Sequence, residues 1–141
     1  MFIDIVSVYQ FLAVVISWAL AQLIKGFLGQ FKIPKNTFFS TSGGMPSSHT
    51  SSAAAFFFSQ LFFYGITSLT ILSLVLLVLI MADAIGVRYA TGINAKVLHK
   101  LTTKNKTLQN TIILRQGHKR VEVLAGFLLG LFVALGVFLI I

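Results

Sequence analysis

The chain has 141 residues, enough for one domain; 57% of them are hydrophobic and only 10% are charged. A soluble domain carries about 25% charged residues, so this composition excludes an ordinary water-facing surface and makes lipid the solvent for much of the chain. The net charge of +8 comes from cations placed between apolar spans, a pattern that argues against a nucleic-acid partner and for anionic headgroups or phosphate substrates. With no cysteine, disulfides and thiolate metal sites are ruled out as well.

A bilayer core needs about 20 apolar residues in a helix. Residues 5–28 supply the first such span, interrupted by Gln10, Gln22 and Lys25. Ala19-Leu20-Ala21 has the look of a cleavage site. No cation precedes the apolar run, however, so the segment is expected to stay in the protein. Residues 31–44 read as a loop, marked by Pro34, Asn36 and Gly43-Gly44. The second span, 47–64, is small and polar at its start and aromatic at its end. An uncharged turn follows at 65–68. The third span, 69–84, is almost wholly aliphatic until Asp83, and the fourth covers 121–141. The expected fold is therefore an all-α integral membrane four-helix bundle, a single domain over 1–141.

Between spans three and four lies a basic stretch, 86–120. Ile93, Val97 and Leu101 share one helical face there, and Lys96, Lys100 and Lys104 share another. That is the pattern of an amphipathic segment at the membrane interface. Loop one carries Lys32 and Lys35, the turn near Gly65 carries no charge, and the long stretch holds most of the remaining cations. With four crossings, loop one and the basic stretch fall on the same side. The charge asymmetry assigns that side to the cytoplasm.

The same crossings bring nearly every notable polar residue to one end of the bundle. Gly43-Gly44-Met45-Pro46-Ser47-Ser48-His49-Thr50 opens the second span. Gly44 lets backbone approach a ligand, Pro46 pre-sets a turn, and Ser47 or Ser48 is placed to cap the helix. The free N–H groups and helix dipole favour an anion there, with His49 beside them as a proton donor. His118 and Glu122 are four apart, a spacing that puts them on one helix face, where a carboxylate can hold the imidazole and favour its attack on phosphorus. Asp83, at the end of an apolar run, calls for a partner, and Arg88 is the nearest cation. Lys25 either snorkels to the interface or holds an anion. Lys32 and Arg115 complete the set of cations. Trp18 and the phenylalanine runs at 56–58 and 62–63 read as packing or lipid contact, and His99 has no evident role. Three acids and three histidines, with no HExxH and no paired-carboxylate spacing, make a site without metal or cofactor the better fit.

These residues resemble the motifs of the type-2 phosphatidic acid phosphatase superfamily, which includes vanadium haloperoxidases: K-x6-R-P, P-S-G-H and S-R-x5-H-x3-D. Lys25 is followed after six residues by Lys32, with Pro34 one position late. Pro46-Ser47-Ser48-His49 is similar to the second motif, with Ser for Gly, and His118-x3-Glu122 to the end of the third, with Glu for Asp. The closer resemblance is to the short, divergent bacterial branch. It is carried by Ala21-Gln22-Leu23-Ile24-Lys25, Gly43 to His49, Asp83-Ala84-Ile85-Gly86-Val87-Arg88, Gly117-His118 and Glu122-Val123. Three departures stand out. Ile112 occupies the place of the third-motif Ser-Arg, Lys32 replaces an Arg and its bidentate grip, and the superfamily's usual six spans are reduced to four.

The resemblance implies a multi-pass protein of the bacterial cytoplasmic membrane that hydrolyses a lipid phosphate or diphosphate. His118 would be the nucleophile, His49 the proton donor and Glu122 the orienting carboxylate. Lys25, Lys32, Ser47, Ser48 and Arg88 would hold the phosphate oxygens, and Arg88 or Arg115 would stand in for the missing arginine. The alternative is a non-catalytic binder or carrier of phospholipid or polyprenyl phosphate that uses the same cationic pocket.

Overall fold

The computed structural model describes residues 5–28, 44–112 and 117–141. Lys32, Pro34 and Arg115 lie outside the described residues. The described chain forms six helices: α1 (Ile5–Phe27), α2 (Ser48–Tyr64), α3 (Ser68–Ile85), α4 (Val87–Leu101), α5 (Lys106–Thr111) and α6 (Arg120–Ile140). Among the described residues there is no strand.

Three helical stretches are long and apolar enough to cross a membrane: Ile5–Phe27, Ser68–Leu101 and Arg120–Ile140. The expected second span, 47–64, is not among them; it corresponds to α2. This helix has 17 residues, and its first half is Ser, Thr and Ala apart from His49. It is the centre of the fold, packed by α1, α3 and α6 together. A helix wrapped by protein on three sides does not need an apolar surface of its own, which is why its hydropathy is the weakest of the four long helices.

Small residues set the packing. On α6 the buried positions are Val123, Gly126, Gly130 and Ala134, the last three a small-residue row four apart. A Cβ on Gly126 would stand 2.5 Å from the Ser47 carbonyl oxygen, and one on Gly130 would stand 2.4 Å from that of Ser51. The two backbones are therefore nearly in contact. On α1 the buried row is Gln10, Ala13, Ser17, Ala21 and Lys25. It meets α2 through polar contacts: the amide of Gln60 donates to Gln10 (3.1 Å), and the Ser17 and Ser51 hydroxyls are paired. Polar side chains facing one another satisfy groups that lipid could not.

The aromatic run of α2 completes the packing at the other end. Phe58 meets Phe127 edge-on at 5.4 Å, and Phe62 and Phe63 both meet Phe138, at 5.5 and 5.3 Å. Leu77 of α3 joins Ala53 and Ala54 in the buried core. The rest of α3 is largely exposed aliphatic surface, as are the outer faces of α1 and α6, and such a surface is stable only against lipid.

Within the basic stretch, residues 86–112 form two helices. Gly86 breaks the helix: the α3 path ends there, and a Cβ would lie 2.8 Å from the Ala82 carbonyl oxygen. The chain restarts as amphipathic α4, and Asn105 then caps the short α5 by accepting from the Leu108 N–H at 3.2 Å.

Candidate functional site

One end of the bundle gathers the C-terminus of α1, the start of α2, the α3–α4 junction and the start of α6. Three contacts fix the level of these ends. The Ser47 N–H donates to the Glu122 carbonyl (2.9 Å), the His118 N–H donates to the Ala84 carbonyl (3.2 Å), and Lys25 Nζ donates to Ser48 Oγ (3.4 Å). All three rest on residues far apart in sequence.

Lys25 is 2% exposed. It does not snorkel outward; it points inward against the first turn of α2. Its ammonium acts electrostatically on both Glu122 and His118. Burying a cation is costly unless something in the site uses it.

Gly44 has φ +90°, a conformation that favours glycine, and leads through buried Pro46 to Ser47 at the N-cap position of α2. The capping expectation is corrected here. Ser47 makes no side-chain cap; its hydroxyl instead accepts from Thr50 Oγ1 at 3.0 Å. The first turn of α2 thus keeps backbone N–H groups that Ser47 does not cap, beside Lys25. His49 sits in that turn, exposed on its outer side, within electrostatic reach of Arg88, His118, Lys25 and Asp83.

His118 and Glu122 are paired, Nδ1 to Oε2, at 3.0 Å. The route to this contact differs from the one expected. His118 precedes α6, so the two residues do not share a helix face. Glu122 is the third residue of α6, and its carboxylate reaches back over the helix start, where Oε2 also accepts from the Lys119 N–H at 3.1 Å. The pair is a capping interaction that happens to include an imidazole. His118 is 7% exposed. Burial pushes its imidazole below the ordinary value near 6.5; the Glu122 hydrogen bond opposes that shift, and the Lys25 charge adds to it. The Gly44 backbone is a further hydrogen-bonding neighbour of the ring.

Arg88 is ion-paired with Asp83 across the α3–α4 junction, with both side chains partly exposed. Asp83 is therefore at the mouth of the bundle, not deep within it, and the expected partner is the one it has.

Some contributors were not singled out from sequence. Gly117 packs directly on the first turn of α4: a Cβ there would meet the Tyr89 nitrogen at 2.2 Å. A cavity of about 120 Å³ adjoins Glu122, lined by Gly44, Tyr89, Gly92, Lys96 and Lys119 among others. Lys96 had been read only as part of an amphipathic face, and the N-cap position of Lys119 becomes visible only once the helix start is known. Among the described residues, no group of three or more His, Cys, Asp or Glu side chains is arranged to hold a metal ion.

The arrangement defines a class first: a helical membrane protein with two histidines, a carboxylate and buried or paired cations at one end of the bundle. The particular family follows from the sequence itself. Residues 6–133 match the model of the Divergent PAP2 family, and the chain belongs to that family. No curated protein and no solved structure is significantly similar to the chain.

Proposed function

We propose that the protein is a membrane-embedded phosphatase that hydrolyses a lipid phosphate or diphosphate through a phosphohistidine, without a metal. The observation that carries this reading is the convergence of His118, held by Glu122, with His49 and the buried Lys25 at one end of the bundle. Family membership supports a phosphatase-like activity, and the lipid substrate is our inference from the membrane setting.

In this mechanism Nδ1–H of His118 is committed to Glu122, and Nε2 becomes the nucleophile when substrate displaces its Gly44 backbone contact. Nε2 attacks phosphorus, the P–O bond to the lipid breaks, and His49 protonates the leaving oxygen. Neutral His49 then takes a proton from water, which attacks phosphorus and breaks the P–N bond to release phosphate. Lys25, Arg88, Ser48 and the first-turn N–H groups of α2 stabilise charge on the equatorial oxygens. Lys32 and Arg115 join them as proposed phosphate ligands. In this reading α2 is the fourth crossing, the site end faces the cytoplasm, and the membrane is the bacterial cytoplasmic membrane.

A carrier that binds the same headgroup without turnover is the second reading. It is favoured by Ile112, which stands where the superfamily's third motif has its Ser-Arg. Phosphate release from lipid phosphates by purified protein separates the two. Loss of release in both His118→Ala and His49→Ala is the enzyme's result. Lipid binding without release, unchanged in His118→Ala, is the carrier's.

A further inference from the structure

α4 presents an apolar face that no described residue covers. At 100° per residue, Val87, Ile93, Val97, Leu98 and Leu101 form one arc, interrupted only by Asn94 and opposite Gly92. Gly92 is the buried position of this helix, and Ala95 and His99 beside it are half-buried. Val97 is 50% exposed and Leu101 74% exposed. The apolar arc therefore points away from the bundle.

Length places this helix at the membrane surface. α3 has 18 residues, about 27 Å at 1.5 Å per residue, close to the roughly 30 Å of a bilayer core. Continued through α4, the 34 residues of Ser68–Leu101 would exceed that core by roughly 20 Å. The break at Gly86 falls where α3 has already crossed. Charge identifies what lies there. From residue 86 to residue 112 there is no Asp or Glu, while Lys96, Lys100, Lys104 and Lys106 are all exposed. An apolar arc bordered along one side by Lys96 and Lys100, on a segment that carries no acid of its own, fits an anionic headgroup layer over acyl chains.

We propose that α4 lies in the headgroup layer and binds anionic lipid there, and that this seating holds the candidate site in register. The coupling is direct. The first turn of α4 carries Arg88, paired with Asp83, and Tyr89, whose backbone packs against Gly117 next to His118. A shift of α4 moves both. The inference does not depend on whether the site is catalytic.

The chain has no cysteine, so Val97→Cys gives a single labelling position. The labelled protein is placed in nanodiscs of phosphatidylcholine, with or without phosphatidylglycerol. Lipids brominated high on the acyl chain are expected to quench the label more than aqueous iodide does, and more strongly with phosphatidylglycerol present. Lys96→Gln/Lys100→Gln/Lys104→Gln should remove that lipid dependence, and the matching Lys→Arg variant should keep it. Exchange of the His118 amide hydrogen, bonded to Ala84, should be several-fold slower with phosphatidylglycerol. Quenching by iodide in both discs would overturn the proposal, as would self-quenching from label pairs in a dimer joined through this face. Equal bromolipid quenching in both discs would overturn the recognition of anionic lipid, and His118 exchange indifferent to lipid would overturn the coupling.

Discussion

The backbone N–H of Ser47 donates to the carbonyl of Glu122 at 2.9 Å. This one bond ties the start of α2 to the first turn of α6, and so holds His49 and His118 at the same depth. It is possible because Gly126, one turn further along α6, has no side chain to keep Ser47 away.

The close approach of α2 and α6 predicts an asymmetric response among the glycines of α6. Gly130→Ala places a Cβ 2.4 Å from the Ser51 carbonyl oxygen and 2.8 Å from the Ala55 nitrogen, both backbone atoms. Overpacking of this kind costs about 1–3 kcal/mol, and thermal unfolding in detergent should show it. Gly136→Ala meets nothing within 4 Å and should unfold at the same temperature or higher.

Glu122→Gln should separate orientation from folding. Gln keeps an oxygen that can accept from both His118 Nδ1 and the Lys119 N–H, so what is lost is the charge: its interaction with the helix dipole, about 0.3–1 kcal/mol, and its attraction to Lys25. Turnover should fall far more, roughly 10²-fold, because the imidazolium-like transition state loses its counter-charge. Equal losses in unfolding temperature and turnover would assign Glu122 a capping role alone.

The depressed His118 value sets the pH profile. The nucleophile must be neutral, and burial favours the neutral form, so the acidic limb of kcat/KM should lie below the ordinary histidine value near 6.5. Glu122→Gln removes an influence that raises His118, and the limb should move further toward acid. Stability follows the same linkage. Between the lowered folded value and about 6.5 the unfolded chain binds more protons, so the His118 contribution is complete above that window and is lost as pH falls through it.

Lys25→Met tests whether the buried ammonium serves the fold or the ligand. Methionine fills similar space without the cost of burying a charge, so the unfolding temperature should hold or rise. KM for a lipid phosphate should rise about tenfold or more through the lost charge-assisted contact. A sharp fall in stability with KM unchanged would make Lys25 a structural residue.

Much of the fold was legible because apolar composition over about 20 residues has one common physical solution, a helix in lipid. The limits of α1, α3 and α6 follow from Asp4, Asp83 and the Lys119-Arg120 pair that bracket apolar runs. α2 was harder to read. A helix buried by protein carries small and polar residues, and by hydropathy alone it looks like a weak span. The ionisable groups of the candidate site, His49, His118 and Glu122, were legible because such groups are unusual in so apolar a chain. Gly117 and the cavity beside Lys96 were not, since both depend on how the first turn of α4 meets the start of α6.

The sequence by itself determined that this chain lives in a membrane, that its helices bring their polar ends to one side, and which ionisable groups are available there. These are consequences of solvent and of local pattern. Only the tertiary structure decided that Lys25 turns inward, that Glu122 meets His118 by reaching over a helix start, and that α2 is enclosed by its neighbours. Each of these depends on how the helices meet; for α2 and α6 the approach is set at Gly126 and Gly130, where a side chain would collide with the facing backbone, and periodicity along a single chain carries no record of what those glycines face.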